Sequence, residues 1–459
     1  MSLLGAISNS LSGLSAIQAD MQVISGNVGN AQNPNYTKKT INLASDPIAG
    51  GVVVTGYVRN TNTNLSTLLQ QSAGESNLLS TQKDYLGQIQ DLLGSSQNSP
   101  RLTTVMSDFA AAWRQLAAAP EDTSQQQDLV FKAENLANEV NRLSTGLQQI
   151  TINLKNDMQS AVDELNTTLT TINDLNNKIV AAQSSGQGNS VNNLLDQRDA
   201  AIVELSGLLN VRVLQRSQNT IGIYTPGGMS LLDTGPTQFD WDGTQITIDG
   251  TSTDVTSQLT GGKIEGLAGM LDQGSSSATL NDPGKASVYK LQQQLTSLVT
   301  LFTSGSGTFA TAYNTPTGTS GELASGFFTG TAPGNFAVAS ALVDGSKTVK
   351  QSAVSAIAAD MDVNTRTVTA AGATVNNLSY TDYTDYIISR HNQNTKNIGD
   401  QADVAQSQHD DYQQRLQSSV GVNIDDELAH LTQLQNNYSA TAHILQVIQE
   451  MFQVIQQIG

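Results

Sequence analysis

The sequence predicts a mainly α chain with a β insertion: a nested helical bundle or coiled coil formed by both termini, plus a small central β-rich domain. Three observations predict it. Apolar residues recur at steps of three and four along both ends, a helical seam fills most of residues 65–209, and strict alternation is confined to a short central region.

At the N-terminus the seam reads Leu4, Ile7, Leu11, Leu14, Ile17, Met21, Ile24, Val28. At the C-terminus it reads Leu431, Leu434, Tyr438, Ala442, Leu445, Ile448, Phe452, Ile455. Both are the repeat of a helix burying one stripe against another helix. The only charged side chain within residues 1–30 is Asp20, and within 428–459 it is Glu450, with His430 and His443 taken as neutral. Ordinary surface helices keep Lys and Glu on the wet face; here that face carries Ser, Asn, Gln and Gly. A polar but uncharged face suits a helix surrounded by protein, since interface cores are depleted in charge. The competing reading is an ordinary intramolecular core. The uncharged outer faces favour assembly, with the seam residues as the interface. A two-helix seam is also narrow for the cost of ordering about sixty residues, so the ends are expected to fray in an isolated chain.

The first helix is expected over residues 3–30, stopping near Asn33-Pro34 because the residue before proline is pushed out of the helical region. Residues 37–43 and 52–58 are β-like, with Gly50-Gly51 as the turn. Asn64 is the expected cap of a helix resuming near Leu65; another covers 102–119 and stops at Pro120. Asp122 and Thr123 open a long run over 125–182, too long for a common globular helix and therefore part of a bundle. After a break at 184–190, residues 191–209 form a further helix. Residues 211–260 alternate, and Asp242-Gly243 marks a hairpin between 238–241 and 245–248. Helix returns at 263–271 and 286–302. Residues 303–334 read as an irregular Gly/Thr/Ser loop and 336–376 as mixed. A helix over 381–418 breaks at Gly421, and Asn423 caps the last helix, whose first turn holds Asp425, Asp426 and Glu427 where the dipole favours negative charge. The expected domains are a terminal coiled coil (1–36 and 421–459), a helical bundle (37–210, 263–303 and 376–420) and a small β-rich or irregular outer region (211–262 and 304–375).

Composition narrows the function. The chain has 459 residues, 38% hydrophobic and only 5% aromatic, so thin cores in long bundles fit better than one large globule. It holds 22 basic against 40 acidic residues, a net charge of −18, and Lys38-Lys39 is its only adjacent basic pair. Nucleic-acid binding is not expected, because a phosphate-tracking surface needs concentrated Lys and Arg. The same deficit argues against the terminal helices lying on an anionic membrane, and no apolar run reaches spanning length. No positive leader with a continuous apolar stretch opens the chain, so export without a cleaved signal peptide is the expectation. With no cysteine, disulfides, thiolate metal sites and cysteine nucleophiles are excluded.

Catalytic signatures are missing: no phosphate-binding Gly-x-x-x-x-Gly-Lys-Ser/Thr loop, no His-Glu-x-x-His, no Gly-x-Ser-x-Gly. His391 and His409 sit too far apart on one helix to share a metal. Asp240 and Asp242 around Trp241 resemble a glycosidase pair, but a turn accounts for Asp242. Asp425-Asp426-Glu427 has the acidity of a cation site, but helix-start chemistry accounts for it better. Tyr380, Tyr383 and Tyr386 form a packing stripe. No catalytic residue, cofactor or metal is expected, and the chain is read as not an enzyme.

Certain segments resemble a known family. Ser25-Gly26-Asn27-Val28-Gly29-Asn30-Ala31-Gln32-Asn33-Pro34-Asn35-Tyr36 is similar to the N-terminal motif of bacterial flagellar axial proteins, an Asn-rich helix end followed by Thr-Pro-Gly-Tyr. Asn33 stands for the usual Thr and Asn35 for Gly; asparagine tolerates positive φ, so the turn survives. Asn193-Leu194-Leu195-Asp196-Gln197-Arg198-Asp199 resembles a segment of the hook-associated proteins of the FlgK type. So does Ser419-Val420-Gly421-Val422-Asn423-Ile424-Asp425-Asp426-Glu427, with Ile-Asp-Asp-Glu where the family more often has Leu-Asp-Glu-Glu. Residues 1–215 and 380–459 carry the likeness; the centre matches loosely. The chain is short for the family, so a small or missing outer domain is expected.

The resemblance implies a structural, non-enzymatic adaptor at the junction of hook and filament, exported by the flagellar type III apparatus to an extracellular position. It implies self-assembly in a ring of roughly eleven subunits, contacts with the hook protein and the third hook-associated protein, and a cytoplasmic export chaperone held on residues 425–459 before export. Another axial protein, of hook or rod, is the first alternative, against which residues 193–199 speak. A secreted adhesin or hydrolase on an axial scaffold is the second.

Overall fold

A computed structural model describes residues 3–46, 50–94, 101–185, 188–274, 281–304, 308–315 and 317–458. It is mainly α with small sheets of two or three strands, as the periodicities require. Helix α1 (Leu3–Gly29) opens the chain and gives way to an antiparallel hairpin, β1 (Lys39–Ser45) and β2 (Val52–Arg59), with a bulge between Asn42 and Leu43. Gly50 and Gly51, at φ +70° and +91°, stand where the turn was expected. At each of them a Cβ would strike α1, on Asn9 and Ser12, so glycine also permits the hairpin to press on that helix.

The body is built on α4 (Thr123–Ser184), a 62-residue helix about 93 Å long at 1.5 Å rise per residue. Asp122 caps it, accepting the Ser124 and Gln125 amides. Around it pack α2 (Thr63–Leu93), α3 (Arg101–Ala118) and α5 (Gly188–Leu208). Asn62, and not the expected Asn64, caps α2, because its side chain reaches the Leu65 amide three residues on.

The β insertion follows. Strands β3 (Arg212–Gln215), β4 (Ile221–Tyr224) and β5 (Ser230–Leu232) form one antiparallel sheet, and β6 (Phe239–Trp241) with β7 (Ile246–Ile248) a hairpin. Two asparagines of α4 act as substitute strand partners. Asn166 donates to the Phe239 carbonyl and accepts its amide, both at 2.8 Å, and Asn176 does the same to Ile221 at 3.0 and 3.3 Å. These paired bonds satisfy strand edges that would otherwise be bare.

Helices α6 (Gly262–Leu271) and α7 (Ser287–Thr303) return the chain to the bundle. The segment expected as an irregular loop is more ordered than its composition implies. It contains α8 (Thr308–Asn314) and β8 (Phe328–Thr329), which pairs with β9 (Ala337–Val338). Short α9 (Ser340–Val343), α10 (Gln351–Asp362) and the hairpin β10 (Arg366–Ala370) and β11 (Ala373–Leu378) resolve the mixed stretch. Tertiary packing overrides local propensity here. Phe309, Phe327, Phe328 and Phe336 join Phe109, Trp113, Phe302 and Tyr380 in one buried aromatic cluster, with ring centroids 4.6–6.3 Å apart. The described part of residues 304–375 therefore contributes to the main core, through Phe309, Phe327, Phe336, Val354 and Ile357 among others.

Two long helices close the chain, α11 (Tyr380–Val420) and α12 (Ile424–Ile458). Ser379 and Asp382 form a capping box at the start of α11, which packs along α2. Tyr380 and Tyr383 are buried, as a packing stripe requires. Helix α12 turns back along α1. Gly13 lies beside Thr441, Asp20 beside His430 and Asn27 beside Glu427, so the two terminal helices run antiparallel.

Candidate assembly interface

No residue of α1 or α12 belongs to the main hydrophobic core among the described residues. The terminal helices bury one another only in part. Of the predicted seam, Ile24, Leu434 and Ile448 are buried; Ile7, Leu14, Ile17, Met21, Val28, Leu431, Ala442 and Leu445 are half-buried. Leu4 (74% exposed), Leu11, Tyr438, Phe452 and Ile455 face outward. The buried stripe of α1 is shifted from the predicted seam and centres on Ala16, Val23, Ile24 and Asn27. A second apolar stripe on α12 escaped the sequence reading: Ile444, Val447, Met451 and Val454, each exposed, repeat at helical spacing beside the first. It was legible in the periodicity but hidden by choosing one seam per helix. An apolar face left open this widely makes these helices a candidate interaction site.

The joint that fixes this helix pair to the body is built from charges. Tyr36 closes a turn on Asn33 (Tyr36 amide to Asn33 carbonyl, 3.1 Å), with Pro34 and Asn35 between them. Asn33 also accepts the Asn35 amide at 3.1 Å. Asn35 is not among the described residues with positive φ, so the substitution for glycine needs no left-handed conformation here. The chain then enters β1 with Lys39 buried at 1% exposure. Its ammonium lies 2.7 Å from Asp196 and 3.4 Å from the centre of the Tyr36 ring. Asp196, also buried, accepts the Thr37 hydroxyl at 2.7 Å and pairs with Arg59 at 3.1 Å; Arg59 pairs with Asp199 at 2.6 Å. Burial pulls the Lys39 ammonium below the usual lysine range, opposed by the Asp196 hydrogen bond and charge.

Asn27 joins this cluster to the last helix. Fully buried, its amide donates to the Lys39 carbonyl and to Glu427, each at 2.9 Å. Its carbonyl accepts the Lys39 amide at 3.1 Å and the Tyr36 hydroxyl at 3.0 Å, so all four of its hydrogen-bonding sites are used. The Tyr36 phenol is pushed up to about 12, by burial first and then by Asp196 and Glu427. Glu427 is 2% exposed and pairs with Lys38 at 2.6 Å. Asp425 and Asp426 remain exposed in the first turn, while Asn423 accepts the Asp425 amide. Gly421 is required by close approach, since a Cβ there would meet the Gln417 carbonyl at 2.4 Å. The Lys38 amide bonds the Val420 carbonyl at 2.8 Å, and Asn60 the Ser419 carbonyl at 2.8 Å.

The predicted motif residues thus converge in two places. Asp196 and Asp199 of α5 receive the N-terminal arm through Thr37, Lys39 and Arg59. Arg198 turns the other way, to Asn176 and the Asn219 carbonyl, and ties α5 to the β insertion. Leu195 packs with Ile179 and Val191 in a small separate core. The sequence reading missed Asn27, Thr37, Lys38, Lys39, Arg59 and Glu427 as parts of the joint. The available signal was the pair Lys38-Lys39 standing in a nearly uncharged segment.

The weighed catalytic candidates have structural duties. Trp241 is buried, Asp240 is exposed, and Asp242 accepts the Thr244 hydroxyl and then the Gln245 and Thr244 amides in its turn, which hold its carboxyl below the usual range. His391 lies 3.1 Å from the Leu86 carbonyl and His409 3.2 Å from the Ser72 hydroxyl.

Comparison with known proteins places this architecture. Residues 86–307 match the family model described as the flagellar hook-associated protein FlgK helical domain, and residues 413–458 that of the flagellar basal body rod FlgEFG protein C-terminal. Flagellar hook-associated protein 1 of Escherichia coli (strain K12) is 29% identical over 234 residues, 49% of this chain and 42% of the relative. These matches support a FlgK-type protein. Its FlgK-type relatives include flagellar hook-associated protein 1 of Salmonella typhimurium (28% identical, 49% of this chain and 42% of the relative). That of Bacillus subtilis (strain 168) is 28% identical, over 44% of this chain and 42% of the relative. The match therefore spans 42% of the length of each of these relatives. The hook junction protein FlgK from Burkholderia pseudomallei aligns with a TM-score of 0.45 at 23% identity, over 57% of this chain and 46% of that one.

Proposed function

We propose that this FlgK-type chain is a non-enzymatic structural adaptor of the bacterial flagellum, placed at the hook–filament junction and polymerising through its terminal helices. The observation that carries the reading is the sparsely charged helix pair, Leu3–Gly29 with Ile424–Ile458, which leaves Leu4, Leu11, Ile444, Met451 and Ile455 exposed and contributes nothing to the main core among the described residues. Neighbouring copies cover that face, in a ring of roughly eleven subunits. The unit 1–36 with 421–459 lines the assembly, with 37–210, 263–303 and 376–420 next to it. The hook protein and the third hook-associated protein are the axial partners. A cytoplasmic chaperone covers residues 425–459 before export, which passes through the flagellar type III apparatus without a cleaved signal peptide. Among the described residues no helix is long and apolar enough to cross a membrane.

Truncation tests the reading. Chains lacking residues 1–30 or 428–459 should remain soluble and folded in their bodies yet fail to join hook ends. Incorporation of either truncated chain at the level of the full one removes the terminal helices from the mechanism.

A further inference from the structure

A small cavity of about 40 Å³ opens between the first turn of α7, the β10–β11 turn and α11. It is far in sequence from the joint and carries an unusual set of side chains. Lys290 and Arg390 both line it. Among the described residues no carboxylate forms an ion pair with either, in a chain with 40 acidic and 22 basic residues. The Lys290 ammonium is held by a backbone carbonyl, that of Asp282, at 2.5 Å. The Asp282 and Asp272 carboxylates act on it from a distance and each is engaged by a loop amide, of Gly284 at 2.9 Å and Gly274 at 2.7 Å. Burial, reinforced by Arg390, lowers Lys290 to about 8.

Two carboxamides complete the walls. Gln294 and Asn394 are both more than nine-tenths buried, and neither side chain makes a hydrogen bond among the described residues. Their amide groups line the cavity and are free to bond what enters it. His391 does not supply the missing partner: its Nε2 faces the Leu86 carbonyl, and burial keeps the ring neutral. The first turn of α7 also has no side-chain cap and no acidic residue of its own.

We propose that this cavity is a carboxylate-binding site, with Lys290 and Arg390 supplying charge and Gln294 and Asn394 supplying amide donors. The space is small, about 40 Å³ against the roughly 10–15 Å³ that one water needs, and paired cations with amide donors suit a small planar anion such as a carboxylate. The carboxylate comes either from a free small acid or from an Asp or Glu side chain of another protein. This inference is independent of the axial role.

The test uses the full chain with ¹³C-labelled lysine, titrated at pH 7 with sodium acetate at an ionic strength held constant with sodium chloride. A second titration uses glutamate capped at both backbone ends. The Lys290 ε-methylene resonance should shift saturably with at least one of them, with half-saturation in the millimolar range (about −4 kcal/mol). Saturation by acetate alone assigns a free acid, and saturation by capped glutamate assigns a protein side chain. Arg390→Gln, at an exposed position, should weaken half-saturation at least about tenfold, and Asn394→Ala should weaken it in the same sense. Lys396→Gln, an exposed control outside the cavity, should leave it unchanged. A linear response to both carboxylates overturns the proposal. So does tighter saturation by phosphate than by acetate, or an unchanged response in a folded Arg390→Gln chain.

Discussion

Replacing Asp196 with Asn tests whether charge holds the terminal helices to the body. The substitution keeps the side-chain shape and removes the carboxylate that pairs with Lys39 at 2.7 Å and Arg59 at 3.1 Å. Arg59 retains Asp199, but Lys39, 1% exposed, loses its one carboxylate partner among the described residues. Breaking one side of a buried pair costs about 3–5 kcal/mol. With about 2.1 cal/mol/K of unfolding entropy per residue over 459 residues, that is a fall of about 3–5 °C if the chain unfolds as one unit. The loss has a ceiling, because Lys39 can shed its proton. Burial already lowers its pKa, so the unfolded chain binds more protons above the folded value. The cost of the substitution should therefore shrink as pH rises toward 10.5, the ordinary lysine value. Urea unfolding followed by circular dichroism measures the cost, and amide hydrogen exchange should locate lost protection at residues 27–46 and 196–199. A cycle with Lys39→Met should show coupling within about 0.5–3 kcal/mol. If Asp196→Asn costs under about 1 kcal/mol and adds to Lys39→Met without coupling, the joint does not hold the helices.

Further outcomes follow from the same geometry. Asn27→Ala should cost about 1–3 kcal/mol for each buried group it leaves bare, with the Lys39 amide exchanging faster in deuterated buffer. Trp113→Ala, in the aromatic cluster, should cost about 3–5 kcal/mol, read by calorimetry, whereas a value near zero would place that cluster outside the cooperative core. His391 is held below its ordinary 6.5 by burial. The unfolded chain therefore takes up a proton first as pH falls below 6.5, and stability declines from there toward the folded value; His391→Gln should flatten that decline in a stability–pH series. Hydrogen exchange on dilute full-length chain should show weaker protection in residues 3–29 and 424–458 than in 123–184, and equal protection would contradict the need for neighbours.

Periodicity alone carried the helices of the body. Leu129 through Ile179 recur at steps that a helix satisfies, and Asp122 begins that helix by accepting the Ser124 and Gln125 amides. The hairpin at Asp242-Gly243 and the start of the last helix at Asn423 were equally local, because a turn or a cap is decided within four residues. Residues 303–334 failed for the opposite reason. Their Gly, Thr and Ser content describes an isolated peptide, whereas Phe309, Phe327 and Phe328 are fixed by Phe109 and Trp113, about two hundred residues earlier. No window contains that contact.

The terminal helices divide in the same way. The sequence by itself determined that both ends are helical, apolar along one side and nearly uncharged, since these are properties of composition and spacing. Only the tertiary structure decided that they run antiparallel, that Leu4, Ile444 and Met451 stay exposed while Val23 and Ile24 do not, and that Lys39 needs Asp196. Burial depends on which partner arrives, and a charge is tolerated inside a protein only beside a counter-charge. Residues 39 and 196, like 27 and 427, become neighbours through the fold and through nothing in their local spacing.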